Sequence, residues 1–186
     1  MKRSILLAFF VVVVASSASA QVSNEALQAR IKSVQAEKIF TVTHDAAGST
    51  SKLMAVSDNV SRDEANRAGI LAMNFAIGHF YAGDALTQEP DPFLMTFWVL
   101  TKKPRFGANH AMTVALRDEM LVVGSARYVA KPGQQMEYLN FEISRANLAK
   151  IASQSDVRFM LGEQEFTFTK SQMKLLADLL VITALR

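Results

Sequence analysis

Hydrophobic and polar residues alternate along most of the chain after residue 37, and this pattern predicts β-strands. Alternation sends successive side chains to opposite faces, so one face of a strand can pack in a core while the other meets solvent. Short turn-like segments separate the alternating stretches, and no βαβ rhythm is present, which favours antiparallel neighbours. Nine strands are predicted, at 38–45, 51–58, 70–82, 93–103, 110–117, 120–131 and 135–144 and as a hairpin within 157–169.

The segment 135–144, QMEYLNFEIS, shows the alternation most cleanly. Its two faces divide into Met136, Tyr138, Asn140 and Glu142 against Glu137, Leu139, Phe141 and Ile143. By contrast, the segment 93–103 is apolar on both faces until its end, which predicts a strand in the middle of a sheet.

The segment 70–82 fits two periodicities. As a strand it places Met73, Phe75, Ile77, His79 and Tyr81 on one face, and as a helix it forms a stripe through Met73, Ile77 and Phe80. Two glycines inside such a helix would each cost about 1 kcal/mol relative to alanine. The alternation is also the longer pattern, so we predict a strand.

Helical spacing appears mainly near the two ends of the chain. It predicts an N-terminal helix over 23–36, capped by Ser23 or Asn24. A capping box, in which a Ser or Thr side chain and a Glu or Gln three residues later satisfy free backbone amides, predicts a short helix after Ser61 and a terminal helix after Thr169. Ser144 can cap a further short helix near 145–153.

These elements predict an α+β fold, mainly antiparallel β-sheet. The arrangement is sandwich-like, with about nine strands, an N-terminal helix, a short helix near 145–153 and a C-terminal helix packed on the sheet. No linker or internal repeat interrupts the pattern, so residues 21–186 are expected to form a single globular domain.

Residues 1–20 have the three parts of a cleaved secretory signal peptide. Lys2 and Arg3 form the charged start, Ile5 to Val14 the apolar run, and the small residues Ala18-Ser19-Ala20 the cleavage region. The apolar run is shorter than the roughly 18 residues that span a bilayer, although an uncleaved anchor is the alternative. We therefore expect a secreted or periplasmic protein, and no transmembrane segment is predicted after the signal.

Signal removal changes the charge balance. Two of the 20 Lys and Arg residues, and none of the 17 Asp and Glu residues, lie in the first 20 positions, which leaves 18 against 17 and a net charge of +1. Nucleic-acid binding needs a surplus of cations, so that class is excluded. The absence of cysteine excludes disulfides, thiol nucleophiles, cysteine zinc sites and lipid attachment through cysteine.

Two sets of residues are candidates for chemistry. His79, Tyr81 and Asp84, in the sequence HFYAGD, could serve as base, acid and orienting carboxylate, although the same strand face is otherwise apolar. His44, His79 and His110 would suffice for a metal ion if the fold brought them together, but none has local ligand spacing. Ser49 and Ser51 lie near His44 in sequence without the G-x-S-x-G elbow of a nucleophilic serine.

A local cation cluster, WVLTKKPRF at 98–106, is the candidate ligand-binding segment. Lys102, Lys103 and Arg105 lie beside Trp98 and could meet an acidic polymer, phosphates or the carboxylates of a partner. The alternative is a solvated strand end, where lysines discourage association between sheet edges.

The polar residues left over from the structural pattern converge poorly, so the sequence favours a non-enzymatic exported domain. Such a domain would bind a protein, an envelope polymer or an apolar ligand. One alternative is a hydrolase or metal-dependent enzyme that uses His79, Tyr81 and Asp84. The other is a carrier of apolar small molecules, for which a cavity above roughly 300 Å³ would be the sign. No cofactor is predicted, and the partner and the oligomeric state stay open.

Overall fold

The computed structural model describes residues 21–130, 133 and 135–185. The predicted signal peptide at 1–20 and the end of the predicted 120–131 strand at Lys131 lie outside these residues. The described helices are α1 (Asn24–Ser33), α2 (Arg62–Arg67), α3 (Arg145–Ala152) and α4 (Lys170–Ile182). The described strands are β1 (Val22–Ser23), β2 (Phe40–Asp45), β3 (Thr50–Val56), β4 (Ala72–Ala82), β5 (Ala85–Leu86), β6 (Phe93–Leu100), β7 (Ala111–Ala115), β8 (Met120–Ser125), β9 (Arg127–Ala130), β10 (Met136–Ile143), β11 (Arg158–Leu161) and β12 (Gln164–Thr167).

The strands form three antiparallel sheets, which confirms the predicted α+β class. The largest sheet has the order β2-β3-β4-β6-β10-β9, the second has the order β12-β11-β7-β8, and β1 pairs with β5 in a small third sheet. All nine predicted strands have counterparts. The described residues hold twelve strands because β1 and β5 escaped prediction and the 120–131 segment divides in two.

The division of the 120–131 segment joins the two large sheets. β8 pairs with β7 in one sheet, and β9 pairs with β10 in the other, so the chain passes between the sheets at Ala126. Gly124, just before the break, has φ +120°, in a region where glycine is favoured, and the β7–β8 register shifts at Met112/Thr113. Bends of this kind let one strand serve two sheets.

The ambiguous segment 70–82 is a strand, as predicted. β4 lies in the middle of the large sheet, between β3 and β6. Its inner face, from Met73 to Ile77, is buried, while Phe80 on the outer face is 52% exposed. Gly78 is required where β4 meets β3, because a Cβ there would collide with the Leu53 carbonyl oxygen and lie 2.5 Å from Met54 Sδ.

Aromatic side chains connect the inner faces of the two large sheets. Phe97 of β6 lies 5.5 Å, between ring centroids, from Phe159 of β11. Phe75 of β4 meets Phe168 edge-on at 5.8 Å. The apolar stripe of α4 closes the core, as the sequence predicts, through Met173, Leu175, Leu176, Leu179 and Ile182.

The C-terminal end of α4 is held by arginines from two other helices. Its own last turn has no basic residue. Arg30 of α1 donates to the carbonyl oxygens of Ile182 (2.9 Å) and Ala184 (2.6 Å). Arg145 of α3 donates to the Leu180 carbonyl oxygen at 3.0 Å. These cations neutralise the partial negative charge at the helix end and satisfy carbonyl groups that have no partner within the helix.

The two predicted capping boxes have different outcomes. At α4 both reciprocal bonds of the box between Thr169 and Gln172 are present. At α2 the Ser61 hydroxyl accepts from the Glu64 amide, as predicted, but the Glu64 carboxylate accepts from the Ser61 hydroxyl and from the Thr167 amide instead of returning to the Ser61 amide. Tertiary contact with β12 therefore replaces half of the local motif.

None of the helices in the described residues is long and apolar enough to cross a bilayer.

Candidate functional site

His79 and Tyr81 lie side by side near the C-terminal end of β4, but they do not form a proton relay. Their rings stack with centroids 6.4 Å apart and an interplanar angle of 9°. The Tyr81 hydroxyl donates to Asn24 Oδ1 at 2.5 Å, and His79 Nδ1 lies 3.2 Å from the Pro92 carbonyl oxygen. The Asp84 side chain is exposed, and its backbone carbonyl accepts from the Asn24 amide at 2.9 Å.

Burial shifts both rings toward their neutral forms. Partial burial lowers the pKa of His79 below its ordinary value of 6.5, while the bond to the Pro92 carbonyl opposes this. Partial burial raises the pKa of Tyr81, and the nearby Ser51 hydroxyl partly offsets this rise. At neutral pH His79 is therefore an uncharged donor to Pro92, and Tyr81 is an uncharged donor to Asn24.

Ser51 links this corner to His44, a contact that the sequence did not predict. Ser51 is fully buried, and its Oγ lies 2.9 Å from His44 Nδ1. Its one proton goes to the Gly83 carbonyl oxygen at 2.6 Å, so His44 must donate to Ser51. A histidine that activates a serine accepts the hydroxyl proton instead. The Ser51–His44 pair is therefore a structural link between β2, β3 and the turn after β4.

The third histidine lies apart from the other two. His110 stacks on Tyr128 of β9 with ring centroids 5.7 Å apart, and its Nδ1 is buried without a hydrogen-bond partner among the described residues. β9 lies three strands from β4, a separation of roughly 14 Å at the usual strand spacing. Among the described residues, no group of three or more His, Asp or Glu side chains is placed to hold a metal ion.

The cation cluster forms the loop after β6, and a buried carboxylate fixes that loop. Lys102, Lys103 and Arg105 are all exposed. Beneath them, Glu137 is only 2% exposed and accepts hydrogen bonds from the Arg105 amide (2.8 Å) and the Phe106 amide (3.0 Å). A buried carboxylate that accepts several hydrogen bonds is held in a fixed position. Because two of the donors are backbone amides of the loop, the loop is held in a fixed position as well.

Two hydroxyl groups complete the environment of Glu137. Thr101 Oγ1 donates at 3.1 Å and the Tyr128 hydroxyl at 2.9 Å. Burial, together with the hydrogen bond to Glu137 and its negative charge, raises the pKa of Tyr128 to about 12. These contacts explain why a glutamate occupies the apolar face of β10 that the alternation otherwise assigns to the core.

An open groove of about 420 Å³ lies on the outer face of the large sheet. Two cross-strand rows form its floor and walls: Ala72, Leu100 and Met136 in one, and Asn74, Trp98 and Tyr138 in the next. Asn59, from the loop before α2, completes the lining. No lining side chain is charged, so the groove is neutral and mainly apolar.

The amides in the groove are available to a ligand. Asn140, in the next row of the same face, is satisfied by the protein, since it accepts from Thr96 Oγ1 (2.7 Å) and donates to the Arg127 carbonyl oxygen (3.0 Å). Asn59 and Asn74 have no such bonds within the described residues. Trp98 was a sequence candidate. The other lining residues were missed because cross-strand register, which no local pattern encodes, brings them together.

Comparisons with known protein families, with curated proteins and with solved structures found no match to this chain.

Proposed function

We propose that the protein is a non-catalytic exported domain that binds an apolar ligand in the outer groove. The observation that carries the proposal is the neutral groove of about 420 Å³, with Trp98 and Tyr138 side by side on a sheet face. Its volume falls in the range of roughly 300 to 1,000 Å³ typical of small-molecule sites. Apolar walls with a few amides are also the usual composition of such sites, because the amides orient a ligand that the walls bind.

The position of the groove supports binding without catalysis. The titratable corner at His79 and Tyr81 belongs to the inner face of β4, whereas Ala72 and Asn74 of the groove belong to its outer face. Catalysis by general acid and base needs the acting group within hydrogen-bond reach of the ligand. No histidine, aspartate or glutamate lines the groove, so a ligand held there would meet no imidazole or carboxylate, and Tyr138 is the titratable side chain beside it.

Export is the second part of the proposal. The charged, apolar and small-residue sections of residues 1–20 support it, and they would release a chain that begins at Gln21. A binding domain with no cysteine suits an environment in which thiols would be oxidised.

Trp98 provides a direct test, because it is the only tryptophan of the chain and it lines the groove. Addition of 1-decanol, a neutral apolar probe, to the chain from Gln21 should change Trp98 fluorescence in a saturable way with one site per chain. An Ala72→Phe exchange places a ring inside the groove and should weaken this binding at least tenfold.

Ala82→Phe is the matched control. Ala82 is exposed on the same face of the same strand, ten residues away, or about 33 Å at the usual rise per residue. The Ala82→Phe variant should bind the probe as the unmodified chain does. A linear, non-saturating response, or equal binding by the Ala72→Phe and unmodified chains, would refute the groove as a ligand site.

A further inference from the structure

We propose that the ligand of the groove is an anionic amphiphile of the fatty-acid class, whose head group binds the loop of Lys102, Lys103 and Arg105. This inference rests on the proposed function, since the loop would bind the polar end of a ligand whose apolar body occupies the groove. The sequence already grouped Trp98 with the cation cluster, and the fold adds the apolar groove that Trp98 lines.

The loop begins where the groove ends. Leu100 is a lining residue, and Thr101 and Lys102 follow it directly. The Leu100 carbonyl oxygen accepts from the Leu71 amide at 2.8 Å, next to the lining residue Ala72. The Thr101 amide donates to the Gln135 carbonyl oxygen at 2.7 Å, next to the lining residue Met136. The mouth of the groove and the base of the loop therefore lie at the same end of the sheet, where β4 and β10 begin and β6 ends.

Arg105 places a third cation at this end of the sheet. Its guanidinium carbon lies 2.9 Å from the position that a Cβ on Gly69 would occupy. Gly69 has φ +66° and lies three residues before Ala72. The glycine thus leaves room for the guanidinium beside the chain that enters β4, so positive charge lies at the groove end of that strand and not only at the tip of the loop.

These cations have no acidic partner among the described residues. The ion pairs found there involve Arg145, Lys150, Arg158 and Lys174. The carboxylate of Glu137 is engaged by the Arg105 and Phe106 amides and by two hydroxyls, and it lies on the face of β10 opposite the groove. The loop therefore offers positive charge to solvent while its backbone is held in place.

The two surfaces together select the chemistry of the ligand. A neutral apolar groove binds a hydrocarbon body, because burial of apolar surface is favourable by roughly 25 cal/mol per Å². The cations at its mouth attract a carboxylate and repel an ammonium group. Exposed ion pairs are weak individually, so the head group should add a moderate, salt-sensitive increment and not the main binding energy.

The test compares probes that share one chain length and differ in head group. Decanoate, 1-decanol and decyltrimethylammonium are titrated below their micelle-forming concentrations against the chain from Gln21, at low ionic strength, with Trp98 fluorescence as the readout. Decanoate should bind about tenfold more tightly than 1-decanol, a difference of about 1.4 kcal/mol. The advantage should shrink as salt is added, and the ammonium probe should bind less tightly than 1-decanol.

A Lys102→Glu/Lys103→Glu variant should lose the preference for decanoate and bind 1-decanol unchanged. The control, Lys32→Glu/Arg117→Glu, makes the same change of net charge at exposed sites on α1 and in the turn between β7 and β8, and it should keep the preference. Equal binding of decanoate and 1-decanol, or a preference that survives in the Lys102/Lys103 variant, would overturn the anionic assignment while the groove stands. Failure of all three probes would instead overturn the proposed function.

Discussion

Glu137 and Ser51 show how single buried polar residues organise this protein. Glu137 occupies a core position of β10 and gathers four donors, two from the backbone of the cation loop and two from hydroxyl groups. Ser51 performs a similar task at the other end of the large sheet, where it bonds Asn24, His44 and Gly83. In each case the polar group can be buried without a large free-energy cost only because its hydrogen bonds are complete.

His79 leads to a pH-dependent prediction. Because its pKa is lower in the folded chain than the ordinary 6.5, the unfolded chain takes up its proton first as the pH falls. The stability that neutral His79 contributes is thus present above about pH 6.5 and is lost as the pH falls through the folded pKa. The free energy of unfolding should drop more between pH 7.5 and 5.5 in the unmodified chain than in His79→Gln.

Proton NMR checks the same prediction without unfolding the chain. The imidazole signal that disappears in His79→Gln should titrate with a midpoint below 6.5. A midpoint at or above 6.5, together with parallel stability curves for the two chains, would contradict the prediction.

At the scale of elements, the arginines at the C-terminal end of α4 should contribute measurably to the free energy of unfolding. Arg145 donates to the Leu180 carbonyl and to the Thr183 hydroxyl (2.9 Å), and it pairs with Glu89 at 2.8 Å. Hydrogen bonds from a charged donor contribute about 1.5–3 kcal/mol. Arg145→Met should therefore lower the free energy of unfolding in urea by about 2 kcal/mol.

Arg158→Met is the control for this exchange. Arg158 and Glu165 pair at 3.5 Å and both side chains are more than half exposed, so this pair should contribute less than about 1 kcal/mol. If the two methionine variants were equally stable, the proposed role of Arg145 at the helix end would be incorrect.

Periodicity was sufficient to predict the helices and the longer strands but not the two-residue strands β1 and β5 or the junctions between elements. The strand over 70–82 and the stripe of α4 followed from spacing alone, because each depends on which side chains share a face. The break at Ala126 did not, since 120–131 remains a good strand sequence and divides only because its halves pair with strands of different sheets. The groove escaped prediction for the same reason: Ala72, Leu100 and Met136 meet through register between segments distant in sequence.

The candidate sites were predictable only as residue types. His79 and Tyr81 were correctly placed on one strand face, but their actual partners, Pro92 and Asn24, come from other parts of the chain. The cation cluster was visible as charge, yet the carboxylate that fixes its loop lies 32 residues after Arg105. Hydrogen bonds over such separations depend on tertiary structure, which a local pattern does not contain.

For the whole molecule, the proposed export predicts a defined product. Expression of the full chain in a bacterial host should yield a periplasmic or secreted form whose N-terminal residue is Gln21, because small residues at positions 18 and 20 direct cleavage. N-terminal sequencing and intact mass would identify it. An Ala18→Arg/Ala20→Arg variant should retain the segment, and an unmodified chain that keeps residues 1–20 in the cytoplasm would refute the export proposal.

The contribution of α4 to the core also has a consequence for the timing of folding. Leu176, Leu179 and Ile182 are fully buried, and α1 reaches across to hold the Ile182 and Ala184 carbonyls. A nascent chain that has not yet gained this helix lacks these buried side chains, so its native core is incomplete. We therefore expect the chain to complete its fold only after α4 has been synthesised, and this delay would suit the proposed export, because a translocation channel takes extended polypeptides.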